Sequence, residues 1–169
     1  MSAKIGINCK AYYNSNTWAS PTWVEITCIE NWMQNFAWDK QASDSRASFI
    51  KTTVKTMAAL SYSGRLKEPK AGATDAAYDA LMESLLGADS PLDLLILNSS
   101  NETEGAEGFR GWFHIYSANE DQGLNTRLYK EVEIEPADPE EADEKVQYAV
   151  VGASPGFTIT YTDIPNDAA

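Results

Sequence analysis

The chain has 169 residues and a mass of 18.6 kDa, and its 25 Asp and Glu against 13 Lys and Arg give a formal net charge of −12 and a pI near 4.4. This is one domain's worth of chain, and its 43% hydrophobic and 11% aromatic content excludes a disordered polypeptide, which lacks the apolar mass to offset ordering entropy. The acidic surplus excludes wrapping of nucleic acid or docking on an anionic membrane, both of which need cations facing phosphates.

Two cysteines, Cys9 and Cys28, are too few for a disulfide framework and stand in no CxxC pair or metal-ligand cluster, so they read as small buried hydrophobes. Residues 1–10 lack the apolar run of a secretory signal, and no stretch approaches the roughly 20 apolar residues of a transmembrane helix. The expectation is a protein made and folded in a cytoplasm, so Asn98-Ser99-Ser100 and Asn101-Glu102-Thr103 are loop composition rather than glycosylation sites. The charge is unevenly placed. Residues 1–70 hold nine bases and five acids, 71–100 five acids and no base, and 101–169 four bases and fifteen acids. Such a gradient suits head-to-tail attraction between copies, a heterologous contact that closes into rings or propagates as filaments. The plainer reading is that sequence halves need not map onto opposite faces.

In chain order, most of the pattern is strand. Residues 22–30 alternate, with Thr22, Val24, Ile26 and Cys28 on one parity and Trp23, Glu25, Thr27 and Ile29 on the other, which predicts a half-buried strand. Trp32, Gln34, Phe36 and Trp38 carry the alternation to about residue 38. Residues 39–48 are rich in Ser, Lys and Asp and read as a long loop holding Asp39, Lys40, Asp44 and Arg46. Strands follow over 49–55 and 58–66, ended by Pro69 and Gly72. One helix is expected at about residues 75–86. Thr74 or Asp75 caps it, Tyr78, Leu81, Met82 and Leu85 share a face, and Gly87 sits where a left-handed C-cap belongs.

After Pro91, residues 92–97 make a compact apolar strand, 98–108 a loop with three glutamates, and 109–117 another alternating strand. Residues 119–123 turn into a strand over 126–136, where Leu128, Lys130, Val132 and Ile134 share one parity and Tyr129, Glu131, Glu133 and Glu135 the other. Successive side chains on a strand point to opposite faces, so Glu131, Glu133 and Glu135 form an acidic ladder. An acidic linker, 137–144, leads to short strands at 146–151 and 157–161 and a loose tail at about 165–169. No internal repeat is present.

No catalytic constellation stands out. The single histidine, His114, lies in an alternating strand and reads as structural, with no GxSxG elbow, HExxH helix or phosphate-binding glycine loop anywhere in the chain. The ladder reads as a solvated surface rather than a glycosidase carboxylate pair or a divalent-metal site, because calcium sites draw on Asp- and Asn-rich loops. The expectation is no enzyme, no cofactor and no metal. Five tryptophans, Trp18, Trp23, Trp32, Trp38 and Trp112, keep one rival open. That rival is a monomeric β-sandwich module whose exposed aromatics bind a carbohydrate or other ligand, and an exposed coplanar pair would favour it.

The order of elements is itself informative: Trp23-Val24-Glu25-Ile26, a loop with Asp44 and Arg46, Leu60-Ser61-Tyr62-Ser63-Gly64, the helix Asp75-Ala76-Ala77-Tyr78-Asp79-Ala80-Leu81, the strand 92–97, a Gly-rich entry to residues 109–116, and the strand ending at Pro136. Over roughly residues 22–136 this resembles the major tail tube proteins of long-tailed bacteriophages. The resemblance implies a mainly β fold, a β-sandwich or open barrel with one flanking α-helix, as a single domain over residues 1–169 with an N-terminal arm at about 1–20. It further implies a structural protein of the virion tail, assembled in the host cytoplasm, whose hexameric rings stack into a tube through which DNA passes without specific binding. Implied partners are other copies of the chain and further tail proteins such as the tape measure, the tail terminator and the baseplate or tip, with no membrane. On that view the ladder of Glu131, Glu133 and Glu135 lines the channel, where carboxylates repel phosphates. Asp39, Lys40, Asp44 and Arg46, with residues 3–17, then reach the next ring.

Overall fold

Strand edges and one helix organise the chain in the order β1 (Lys10–Asn14), β2 (Trp23–Glu25), β3 (Ile29–Ser43), β4 (Thr52–Lys67), α1 (Ala76–Leu86), β5 (Leu92–Leu97), β6 (Glu107–Asp121), β7 (Tyr129–Pro136), β8 (Gln147–Val151) and β9 (Ile159–Asp163). The computed structural model describes residues 9–43, 52–70, 72–87, 90–121, 129–138 and 144–164. All pairings are antiparallel, and they form one open sheet with the path β2-β1-β5-β6-β7-β4-β3 and a branch from β6 through β8 to β9. Among the described residues the sheet does not close into a barrel.

The branch arises because β6 is long and bent. Its first residues pair with β8, Glu107↔Val150 to Arg110↔Gln147, and the rest with β7, Phe113↔Pro136 to Asp121↔Tyr129. A register shift between Ile115 and Ser117 leaves Tyr116 exposed, as a bulge does when its extra residue drops out of the ladder.

The branching creates two apolar clusters on opposite faces of β5. Leu94 and Ile96 pack with Phe113, Ile115, Val132, Ile134, Tyr62 and the inner face of α1, while Leu95 and Leu97 pack with Tyr12, Ala106, Ala149 and Val151. A strand covered on both faces needs no alternation, which is why Leu-Asp-Leu-Leu-Ile-Leu is a continuous run. Helix α1 buries Ala77, Leu81 and Ser84, with Tyr78, Met82 and Leu85 packed beside them. Asp75 caps it, its carboxylate accepting from the amides of Ala77 at 3.0 Å and Tyr78 at 3.3 Å.

Several expectations are corrected. Gly87 is not left-handed, with φ −89° and ψ 134°. It is glycine because a Cβ there would stand 2.6 Å from Ser90 Oγ and 3.0 Å from the Glu83 carbonyl. Asp39 and Lys40 are strand rather than loop: β3 and β4 continue as a two-stranded ribbon through Lys40↔Lys55 to Ser43↔Thr52, held by backbone pairing that needs no apolar side chains. Asp44 and Arg46 lie outside the described residues. Residues 119–121, expected to turn, extend β6. The strand expected over 22–30 breaks at 26–28, where the Ile26 amide donates to Ala11 and the Cys28 carbonyl accepts from Lys67. Residues 10–14 and 23–25, the first of them inside the expected N-terminal arm, are built into the sheet, with β1 between β2 and β5.

Candidate functional site

Strand β7 carries the acidic ladder, and its two faces differ completely. Val132 and Ile134 are buried at 2% and 0% exposure, while Glu131 and Glu133 are exposed and Glu135 is half-buried. The carboxylates repeat at i and i+2, about 7 Å apart along the strand. β7 lies in the interior of the sheet, between β4 and β6, so its outward face is the middle of a continuous surface rather than an edge.

The register supplies the neighbours. Glu131 stands opposite Arg65, Glu133 opposite Ser63, and Glu135 opposite His114. Arg65 approaches Glu131 at 3.6 Å, but both side chains are more than half exposed, so this pair contributes little. Glu133 and Glu135 have no cationic partner among the described residues. Met33, 68% exposed, borders the same surface beyond Ser63, where a bulge between Glu30 and Met33 places Asn31 at φ 57°. His114 packs edge-on against Tyr116, ring centroids 5.9 Å apart. This surface is exposed and net negative, with a hollow of about 320 Å³ lined by Asn31, Met33, Ser63, Arg65 and Glu131. Among the described residues no group of three or more His, Cys, Asp or Glu could hold a metal ion, and no described helix is long and apolar enough to cross a membrane.

A second constellation escaped sequence reading. Arg110 on β6 and Asp93 on β5 form a pair whose side chains are only 4% and 2% exposed, with Nε to Oδ1 at 3.1 Å and Nη2 to Oδ2 at 2.7 Å. Asn14 Nδ2 donates to the same carboxylate at 2.8 Å, and Arg110 Nη2 donates to the Trp18 carbonyl at 2.8 Å. The guanidinium lies 3.8 Å from the Trp18 ring centroid, 4.8 Å from Tyr161 and 5.1 Å from Trp23. Burial pushes the Asp93 carboxyl up, and Arg110 and Asn14 oppose that push. The clasp ties the β1–β2 connection, β5, β6 and β9 together. A lone Asp in one apolar strand and a lone Arg in the next were its signal.

The same clasp engages two of the tryptophans directly, Trp18 and Trp23. Trp18 stacks on Trp112, centroids 5.8 Å apart at 21°, Trp112 Nε1 donates to Glu144 at 2.7 Å, and Trp23 Nε1 donates to Tyr161 Oη at 3.1 Å. Trp32 is buried, and Trp18, Trp23 and Trp112 are each half-buried. Trp18 and Trp23 are thus engaged with Arg110, Trp112 with Trp18, and Trp32 edge-on with Tyr62, ring centroids 6.5 Å apart.

The open, branched antiparallel sheet with one helix among the described residues is a fold shared with solved structures of tails. The chain is similar in structure to the SPP1 tail tube protein, with a TM-score of 0.59 at 12% identity over 78% of this chain and 74% of that one. It is also similar to a chain in the tail of an empty gene transfer agent particle, with a TM-score of 0.52 at 14% identity over 82% and 96%. A chain of the native gene transfer agent virion gives a TM-score of 0.55 at 13% identity over 95% and 100%. The sequence matches no family model and no curated protein.

Proposed function

We propose that this chain is a structural subunit of a phage or phage-derived tail, self-assembling into hexameric rings that stack into a tube and conduct DNA during ejection. The observation that carries this reading is the outward face of β7. A line of carboxylates in the middle of a broad sheet, with core directly behind it, suits a wall along which a polyanion slides without binding. The shared fold supports the tail role, and the open sheet edges support lateral contact between copies. Glu131, Glu133 and Glu135 face the channel, and the β3–β4 ribbon carrying Asp39 and Lys40 on toward Asp44 and Arg46 reaches the adjacent ring. The protein then catalyses nothing, and its partners are its own copies and the proteins that begin and end the tube.

Electron microscopy of the concentrated protein tests the reading directly. Rings or tubes with a central channel are the expected result, and isolated molecules at every concentration and with a tail initiator present would overturn it. Reversing the ladder, Glu131→Lys with Glu133→Lys and Glu135→Lys, should leave the fold intact, because none of the three is core, while impairing genome ejection. Normal infectivity of particles built from that triple variant would remove the channel assignment.

A further inference from the structure

Strands β2 and β9 each have a single strand neighbour among the described residues, and both line a cleft of about 470 Å³. The volume falls within the roughly 300–1,000 Å³ typical of sites for small ligands. Trp23, Phe157, Ile159 and Tyr161 make its apolar wall, and Asn101 and Glu102 supply its polar side. The wall is fixed in place: Trp23 Nε1 donates to Tyr161 Oη at 3.1 Å, and all four apolar side chains pack against the smaller cluster. Phe157 is held at φ 37°, a left-handed conformation that bulky residues rarely adopt, and strain of this kind concentrates at ligand clamps. Asn101 and Glu102 are anchored through their backbone amides, which donate to Tyr12 Oη at 3.1 Å and Ser100 Oγ at 3.3 Å, leaving both side chains for a ligand.

The charges around the cleft select that ligand. Glu102 lines it and no base does, so an anion is repelled. A cation would have to rest on the aromatic faces, yet Arg110 already lies over Tyr161 and Trp23, 4.8 Å and 5.1 Å from their centroids, and a second cation across the same rings would meet its field. A purely apolar ligand would strip water from the Glu102 carboxylate and the Asn101 amide without replacing the lost hydrogen bonds. A neutral ring with apolar C–H faces and a rim of hydroxyls meets every condition, covering the aromatic wall with its face and bonding the carboxylate and amide with its rim.

We propose that the cleft between β2 and β9 binds a neutral saccharide, one ring face against Trp23, Phe157 and Tyr161 and its hydroxyls on Glu102 and Asn101. This goes beyond the assembly reading and does not depend on it. The test is saturation-transfer NMR on the full-length protein with glucose, galactose, N-acetylglucosamine and the β1,4-linked dimers of glucose and of N-acetylglucosamine, with choline and glucuronate as charged probes. At least one neutral sugar should receive saturation, strongest on its ring C–H protons, and the charged probes should receive none. Tighter binding of the dimers identifies a glycan chain as the source and equal binding a free sugar, with the proposal upheld in both cases. Phe157→Gly should abolish the signal, and because glycine accepts the positive φ the thermal melt should stay cooperative. Glu102→Ala, at an exposed position, should weaken binding about tenfold or more, the worth of one hydrogen bond to a charged group, and decides the matter alone if Phe157→Gly fails to fold. Absence of saturation on every neutral sugar, a signal unchanged in Glu102→Ala or in folded Phe157→Gly, or binding of choline or glucuronate in preference to the sugars would each overturn the proposal.

Discussion

Arg110 and Asp93 show how much a single buried pair decides. Removing one partner of such a pair leaves an uncompensated charge in the interior, which typically costs about 3–5 kcal/mol, whereas replacing both with apolar groups is often neutral. Arg110→Ala should therefore lower stability by about 3–5 kcal/mol in urea unfolding, and Arg110→Met combined with Asp93→Leu should recover most of the loss. Tryptophan fluorescence reports the same event, because Trp18 and Trp23 flank the guanidinium. The thiols make a second prediction. Burial pushes Cys9 up to about 11 and Cys28 up to about 12, from an ordinary value of 9.0. Since the thiolate is the reactive form, neither should react appreciably with a thiol reagent in native protein at pH 8, and both should react in urea. Above pH 9 the unfolded chain loses thiol protons before the folded one does. Stability should then fall as pH rises through about 11 and 12.

Among the elements, β6 tolerates least change. Gly108 pairs with Leu97 on one side and Ala149 on the other, and a Cβ there would drive into the backbone carbonyl of Ile96. Backbone cannot yield as a side-chain tip does, so Gly108→Ala should cost about 3 kcal/mol or more, the upper end of overpacking penalties, or abolish soluble expression. Circular dichroism melts would read the difference. How legible each element was in sequence follows from what holds it. β5 was readable to its ends, because Pro91 and Asn98 bracket an apolar run, and the helix to within a residue, because Asp75 signals its start. The β7 ladder was readable because one face is core and the other water. Strand β1, Lys-Ala-Tyr-Tyr-Asn, was not: apolar clusters lie on both its faces, which erases the period of two. The ribbon of β3 and β4 also ran past its apparent end, since residues 40–43 are held by ladder hydrogen bonds that leave no mark in hydropathy. The Arg110 clasp depends on which strands become neighbours, and no local pattern states that.

At the scale of the whole molecule, charge governs association. Lys10 pairs with Glu25, Lys67 with Glu30, Arg65 with Glu131 and Lys130 with Glu68, and 25 acids against 13 bases leave the chain a net charge of −12. Such subunits repel one another at low ionic strength and are screened as the Debye length shrinks from about 30 Å at 0.01 M to about 8 Å at 0.15 M. Light scattering should find the concentration needed for association falling as salt is added over that range. The opposite trend would mean that head-to-tail attraction outweighs self-repulsion.

The position of β1 between β2 and β5 has a consequence for biogenesis. In synthesis β1 meets β2 almost at once, yet its other neighbour arrives only after the β3–β4 ribbon and the helix have been made, and the carboxylate that Asn14 holds comes with it. Long-range pairing of this kind folds slowly, on the order of milliseconds to seconds. The inner edge of β1 therefore stays open in the nascent polypeptide until synthesis has passed residue 97.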